Sequence, residues 1–446
     1  MQPSSSISSA HARRSPRERN AASDEERYRS VRAATVELCA PLANEDYVVQ
    51  SMPDASPAKW HLAHTSWFFE EFVLARALAG YRPYAECFRY LFNSYYNTVG
   101  PMHSRAARGM LSRPTVAEVM AYRAAIDERM ASLLSAGELP GELERVVTLG
   151  LEHERQHQEL LLTDIKHLYS LNPLLPAYRE PPPPPRPLRP APLRYLRFEG
   201  GITGIGHAGP AFCFDNELPR HRALIAPFRL ANRPVINGEY LEFVRAGGYA
   251  DARLWLSDGW ALARREEWLR PIYWSRSLEE EFTLTGEREL DPDAPLCHVS
   301  YYEADAFARW AGARLPTEFE WELAAGTVAL TGNFVERREW HPQAADMPAA
   351  SSCAPDTLLQ MFGDVWEWTQ SAYAPYPGYS PAAGALGEYN GKFMINQLVL
   401  RGGSCATPRE HVRASYRNFF PPAARWQFSG VRLAGEGLTA ETHDGP

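Results

Sequence analysis

No Cys-x-x-Cys pair occurs in the 446 residues, and the six cysteines (Cys39, Cys87, Cys213, Cys297, Cys353 and Cys405) are scattered. That excludes a structural zinc knuckle and a disulfide-stapled scaffold, and it fits a reducing, cytoplasmic compartment. No apolar run reaches the roughly 18 residues that a membrane span requires. An excess of basic charge is also missing: 46 Lys and Arg stand against 54 Asp and Glu, a net charge of −8. Such a chain gives nucleic acid no electrostatic footing, so neither nucleic-acid nor membrane partners are expected. There is no internal repeat, and no clear acidic loop supports a calcium site.

The length exceeds what one core fills, which predicts two domains. Residues 1–22 are rich in Ser and Arg and poor in acids, and are read as a disordered tail rather than a transit peptide. Residues 23–179 carry helical patterning. Asp24 is placed as the cap of a first helix, Ser56-Pro57 as the opening of a second, Thr115–Glu118 as a capping box for a third, and Gly141-Glu142 as the start of a fourth. Between the second and third, Tyr90–Arg105 is too rich in Asn, Gly and Pro to be helical throughout, and reads as a long functional loop. The proline-rich stretch 180–194 is a semi-rigid linker. From 195 to 436 short β-like runs at Arg197, Val235 and Val399 alternate with Gly, Asn and Pro turns and with helical pieces near 238–246 and 302–312. That texture is α+β. Residues 437–446 form a C-terminal tail.

What is present is a pair of histidines at helical spacing. His153 and His157, in Leu151–Glu159, stand at i and i+4 and so share one helix face. His64, on the second helix, is a third donor for a bundle-core metal site. Three histidines alone suit zinc as well as iron.

These residues carry a resemblance. Lys59–His64 with His153–Glu159 resembles the DinB-like four-helix bundle. Phe214–His221, Leu315–Glu322, Gly363–Trp368 and Arg401–Ser404 resemble the formylglycine-generating-enzyme fold (sulfatase-modifying factor), an α+β domain related to C-type lectins. Joined in this order, and with Glu388–Phe393, Tyr416–Pro422 and Arg425–Arg432, the two resemble the ergothioneine-forming sulfoxide synthases (EgtB-type). The resemblance implies a multidomain α and α+β protein that binds Fe(II) through His64, His153 and His157. It implies an O2-dependent reaction joining a thiol to the imidazole of hercynine, with coordination positions left for substrate and O2. His61 is then a packing or second-layer residue.

The resemblance further implies that Gln156 and Asn418 contact hercynine. Its quaternary ammonium calls for aromatic faces, for which Phe419, Phe420, Trp426 and Phe428 are candidates. Tyr95 and Tyr96 are candidate proton donors that favour sulfoxide over sulfinate. Arg105 is a candidate for the thiol substrate's carboxylate, with Arg417, Arg425 and Arg432 as competing candidates that the sequence does not rank. Some members place an acid, for γ-glutamylcysteine, where this chain has Phe420; L-cysteine is therefore the expected donor and γ-glutamylcysteine the runner-up. Rival readings are a selenoneine-type synthase using a selenosugar, a synthase acting on plain histidine, formylglycine-generating chemistry at Cys353 and Cys405, and, from a different class, a non-catalytic metal-binding module.

Overall fold

The computed structural model describes residues 23–137, 139–180, 190–345 and 357–437. The N-terminal tail, most of the proline-rich linker, Cys353 and residues 438–446 lie outside the described residues.

The first half is a helical bundle of α1 (Asp24–Cys39), α2 (Ala58–Phe69), the short α3 (Ala75–Ala77) and α4 (Phe88–Phe92), α5 (Val116–Ala136) and the long α6 (Gly141–Ser170). Ser23, not Asp24, caps α1. Its hydroxyl accepts from the Glu26 N–H while the Glu26 carboxylate accepts from the Ser23 N–H. That reciprocal arrangement satisfies two orphan donors, which leaves Asp24 to favour the positive end of the helix dipole. The Thr115–Glu118 box opens α5. Pro57 sits just outside α2, and the Ser56 N–H donates to the Asp164 carboxylate at 2.8 Å.

All the residues of α2 are buried, histidines included. A helix enclosed on every side must lie at the middle of a bundle, and α2 indeed packs against both α5 and α6. It runs into a π-helical turn at Glu70–Leu74. Beside α2, Glu154 of α6 receives Arg32 of α1 at 2.9 Å and Arg123 of α5 at 2.5 Å. This triangle fixes the register of three helices one residue from His153.

The second half is α+β. Strand β1 (Tyr195–Phe198) joins β4 (Phe228–Ala231) and β11 (Ala434–Glu436) in an antiparallel sheet. Ribbons form from β2 (Gly201–Ile205) with β3 (His221–Ile225) and from β5 (Glu280–Thr283) with β6 (Gly286–Glu289). A four-stranded sheet has the order β10 (Ser429–Gly430), β7 (Trp366–Ala372), β8 (Leu398–Arg401), β9 (Asn418–Phe420). Helices α7 (Asn237–Arg245), α8 (Ser257–Arg265), α9 (Tyr301–Trp310) and α10 (Glu318–Ala325) pack around these sheets. The expected strand at Val235 is not one: Ile236 makes a single bridge to Pro295 and α7 starts at Asn237.

The largest apolar cluster crosses from bundle to α+β domain, running from Tyr28, Trp67 and Leu151 to Trp366, Tyr416 and Leu433. Among the described residues no helix is long and apolar enough to cross a membrane.

Candidate metal centre at the domain interface

Helix α2 presents His64 toward α6, which presents His153 and His157. One nitrogen of each lies within 4.8 Å of the others, and the residues are 0 %, 1 % and 8 % exposed. His64 Nε2 approaches His153 Nε2 to 3.2 Å. Burial holds all three imidazoles below their ordinary pKa, His153 down to about 3. Neutral rings have lone pairs to give, and three of them converging in an apolar enclosure fit a transition-metal ion.

Their orientation is fixed from behind. His64 Nδ1 faces the Phe92 carbonyl at 2.6 Å, so Nε2 is the nitrogen turned to the cluster. Its ring is stacked between Trp60, at 4.5 Å, and Trp67, at 5.6 Å. His61 stands between His157 and a carboxylate: its Nδ1 is 2.8 Å from His157 Nδ1 and its Nε2 3.1 Å from Asp164. That is the second-layer place expected for it, the kind of partner that sets the tautomer of a metal-binding imidazole.

The α+β domain closes the site. Tyr389 sets its ring 5.6 Å from that of His153 and donates its hydroxyl hydrogen to Gln156 Oε1. Gln156 Nε2 donates to Tyr416 Oη at 2.7 Å. A clamp holds this segment over the bundle: the Glu388 carboxylate accepts from the backbone of Asn97 and Thr98, and Lys392 donates to the Tyr95 carbonyl.

Tyr95 and Tyr96 lie under that clamp. Tyr96 is fully buried, with Trp67 and Phe72 at 5.7 and 5.0 Å, and the one polar side chain its hydroxyl faces among the described residues is Tyr95, whose ring is 4.6 Å away. Tyr95 packs on Phe393 and Tyr389 at 5.3 and 6.2 Å. Burial pushes both phenols up, so they stay protonated.

Arg105 does not fill its expected place. It is exposed, and its guanidinium is bound to the Asp54 carbonyl. The 3-10 turn at Arg105–Met110 instead turns Arg108 inward. That guanidinium lies 3.3 Å over the Trp60 ring, donates to Ser56 Oγ and Ser94 Oγ at 2.8 and 3.0 Å, and leaves Nε unpartnered. Burial, then Arg105, lowers its pKa to about 9 against the opposing pull of Asp164, and among the described residues no carboxylate is in direct contact with it. The other arginine candidates are already committed: Arg417 to Glu318, Arg425 to Glu303 and Arg432 to Glu367.

Asn418, Phe419 and Phe420 form β9, away from direct contact with the histidines. Asn418 Oδ1 accepts from the Phe419 N–H. Phe419 stacks on Tyr373 at 4.0 Å and reaches the site only through Phe393, at 6.0 Å. Phe420 meets Trp426 edge-on, and Phe428 is core packed against His298. Sequence reasoning missed Tyr389, Tyr416 and Arg108. The first two sat inside strings singled out for other reasons, and Arg108 is one turn beyond Arg105.

Two family descriptions match the chain: DinB superfamily over residues 27–161, and sulfatase-modifying factor enzyme 1-like domain over residues 188–436. A hercynine oxygenase of Mycolicibacterium thermoresistibile is 33% identical over 86% of this chain and 88% of that protein. A hercynine oxygenase of Mycobacterium tuberculosis is 34% identical over 74% of this chain and 81% of that protein. The formylglycine-generating enzyme of Streptomyces coelicolor is 30% identical over 52% of this chain and 82% of that protein.

Proposed function

The chain belongs to the hercynine oxygenase family, and on that premise we propose that it is an iron(II)- and O2-dependent sulfoxide synthase of ergothioneine biosynthesis. It joins the sulfur of L-cysteine to the imidazole carbon of hercynine. One C–H and one S–H bond are lost, one C–S and one S–O bond form, and the second oxygen atom leaves as water. The observation that carries this reading is the set of three neutral, converging imidazoles of His64, His153 and His157, with the amide of Gln156 beside them at the domain seam.

Iron(II), once held by those histidines, would supply a seat for the thiolate and the one-electron chemistry that O2 requires. The protein's residues do the rest. Arg108, a buried cation with no carboxylate in direct contact, receives the carboxylate of the thiol substrate in place of Arg105, since a buried charge is stabilised by an opposite one. Gln156 keeps one N–H free after serving Tyr416, and that hydrogen is offered to the imidazole substrate. The rings of Tyr389, Tyr95 and Phe393 form a wall suited to a quaternary ammonium, which Phe419 extends. Tyr96 Oη and Tyr389 Oη hold protons beside the reacting atoms. Asn418, beside Phe419 on β9, is assigned to hercynine at the end of the wall that Phe419 extends.

The test is anaerobic loading with iron(II), then O2 with hercynine and each of L-cysteine, γ-glutamylcysteine and a selenosugar, with products read by mass spectrometry. The cysteine sulfoxide adduct is expected, and His157→Ala is expected to lose both iron and product. A higher kcat/KM for γ-glutamylcysteine or the selenosugar sinks the donor assignment. Parent protein that takes up iron but consumes no O2 with any pair supports a non-catalytic metal-binding module.

A further inference from the structure

Behind Gln156 lies a chain of buried polar groups that the reaction, as derived, does not use. Tyr416 Oη, which accepts from Gln156, is also 3.0 Å from His411 Nε2. His411 Nδ1 is 2.6 Å from the Glu152 carboxylate, whose other oxygen accepts from Arg155 at 2.7 Å. His411, Tyr416 and Glu152 are all buried, and the chain passes from α6 into the α+β domain and back.

The chemistry of its far end sets the direction of every hydrogen in it. The Arg155 guanidinium pairs with one oxygen of Glu152 at 2.7 Å, the partner of a carboxylate. A carboxylate only accepts, so His411 Nδ1 carries the hydrogen, and in the neutral ring Nε2 is an acceptor. Burial keeps His411 neutral at neutral pH. Tyr416 therefore spends its hydroxyl hydrogen on His411 and can only accept from the other side. An acceptor there demands the N–H end of the Gln156 amide, which leaves Oε1 for the Tyr389 hydroxyl. Without His411 the Tyr416 hydroxyl is free to donate instead, and the two flips of the Gln156 amide become comparable in energy.

We propose that His411 is a positioning residue that, through Tyr416, fixes which end of the Gln156 amide meets the imidazole-bearing substrate and which way the Tyr389 hydroxyl points. The substrate side of this proposal rests on the function proposed above; the hydrogen-bond polarity does not. It predicts an effect confined to one substrate, because Arg108, which serves the other, takes no part in the chain.

The test is steady-state kinetics on His411→Phe, Tyr416→Phe and the double variant, each loaded with iron. Either single change is expected to raise KM for hercynine about tenfold, leaving KM for the thiol and iron content at parental values. The double variant is expected to be no worse than either single one, since both break the same chain. His411→Gln, which can donate to Glu152 and accept from Tyr416, is expected to recover most of the loss. Equal rises in both KM values, additive losses, or no recovery by Gln would overturn the proposal. Nitrogen NMR of the parent protein, labelled in histidine, gives a readout independent of turnover and of how the variants fold. It is expected to show the Nδ1–H tautomer for His411, with an Nε2 shift that moves in Tyr416→Phe; an Nε2–H tautomer would overturn the proposal even if hercynine proves not to be a substrate.

Discussion

The two halves of this protein bury charge in different ways. In the bundle the ion pairs that link different helices centre on Glu154, which Arg32 and Arg123 both meet beside the histidines. In the α+β domain buried charge is spread over many arginines that pair with a carboxylate and also donate to loop carbonyls. Arg432 holds Glu367 together with the carbonyls of Ala231, Leu359 and Gln360, and Arg417 holds Glu318 with those of Asn216 and Ala374. The difference follows from backbone accounting. Long helices satisfy most of their own N–H and C=O groups, so fewer carbonyls there call for a cation, Lys59 serving those of Leu111 and Pro114 where the chain leaves the helices. Short strands and turns leave carbonyls without partners, and a guanidinium with five donors can serve several at once.

The sharpest way to break this comparison is to remove one carboxylate from each half. Glu154→Ala and Glu367→Ala should each cost about 3–5 kcal/mol, because each strands a buried arginine. Only Glu154→Ala should also lower iron bound per chain. Thermal and denaturant unfolding with metal analysis reads both effects, and iron loss from Glu367→Ala as large as from Glu154→Ala would erase the distinction. Next in size is Arg108, which alone among the described buried arginines has no carboxylate in direct contact. Arg108→Ala should raise KM for the thiol by roughly ten- to a hundredfold, the scale of one lost charge-assisted contact of about 1.5–3 kcal/mol. Arg105→Ala should stay near parental, and the reverse ranking would return the carboxylate to Arg105.

The smallest effect concerns His341, 3.2 Å from Glu281 in the α+β domain. Burial holds His341 neutral down to about 4, against an ordinary value of 6.5. An unfolded chain takes up that proton first, so the stability is intact above about 6.5 and is lost as pH falls toward 4. For Glu281 burial is outweighed by His341 and Arg288, which hold it at about 2 and extend the loss below its ordinary 4.5. The unfolding temperature should decline on acidification, less steeply between pH 6.5 and 4 for His341→Gln.

What could be read from the chain is what repeats locally. The spacing of His153 and His157 is a property of one helix, and the Thr115 box of one turn. His64 was reachable because its own helix also reads as helical. Arg108 was not, since which of two arginines three residues apart faces inward depends on a 3-10 turn that composition does not announce. Tyr389, Tyr416 and His411 are harder still: they meet Gln156 across 233 to 260 residues of chain or pass through each other to reach it. Asn418 to Phe420 form a recognised string on β9, from which Phe419 reaches the histidines through the rings of Phe393, Tyr95 and Tyr389.

The apolar cluster that runs unbroken from Tyr28 to Leu433 has a consequence for how the halves are joined. A seam sealed by shared core is not a hinge, since parting it would expose side chains that each half buries only in the other. The covalent connection then acts as a tether that keeps the local concentration of one half high around the other. Geometry at the seam is held by packing, and the three histidines and the residues that cover them behave as parts of one cooperative solid.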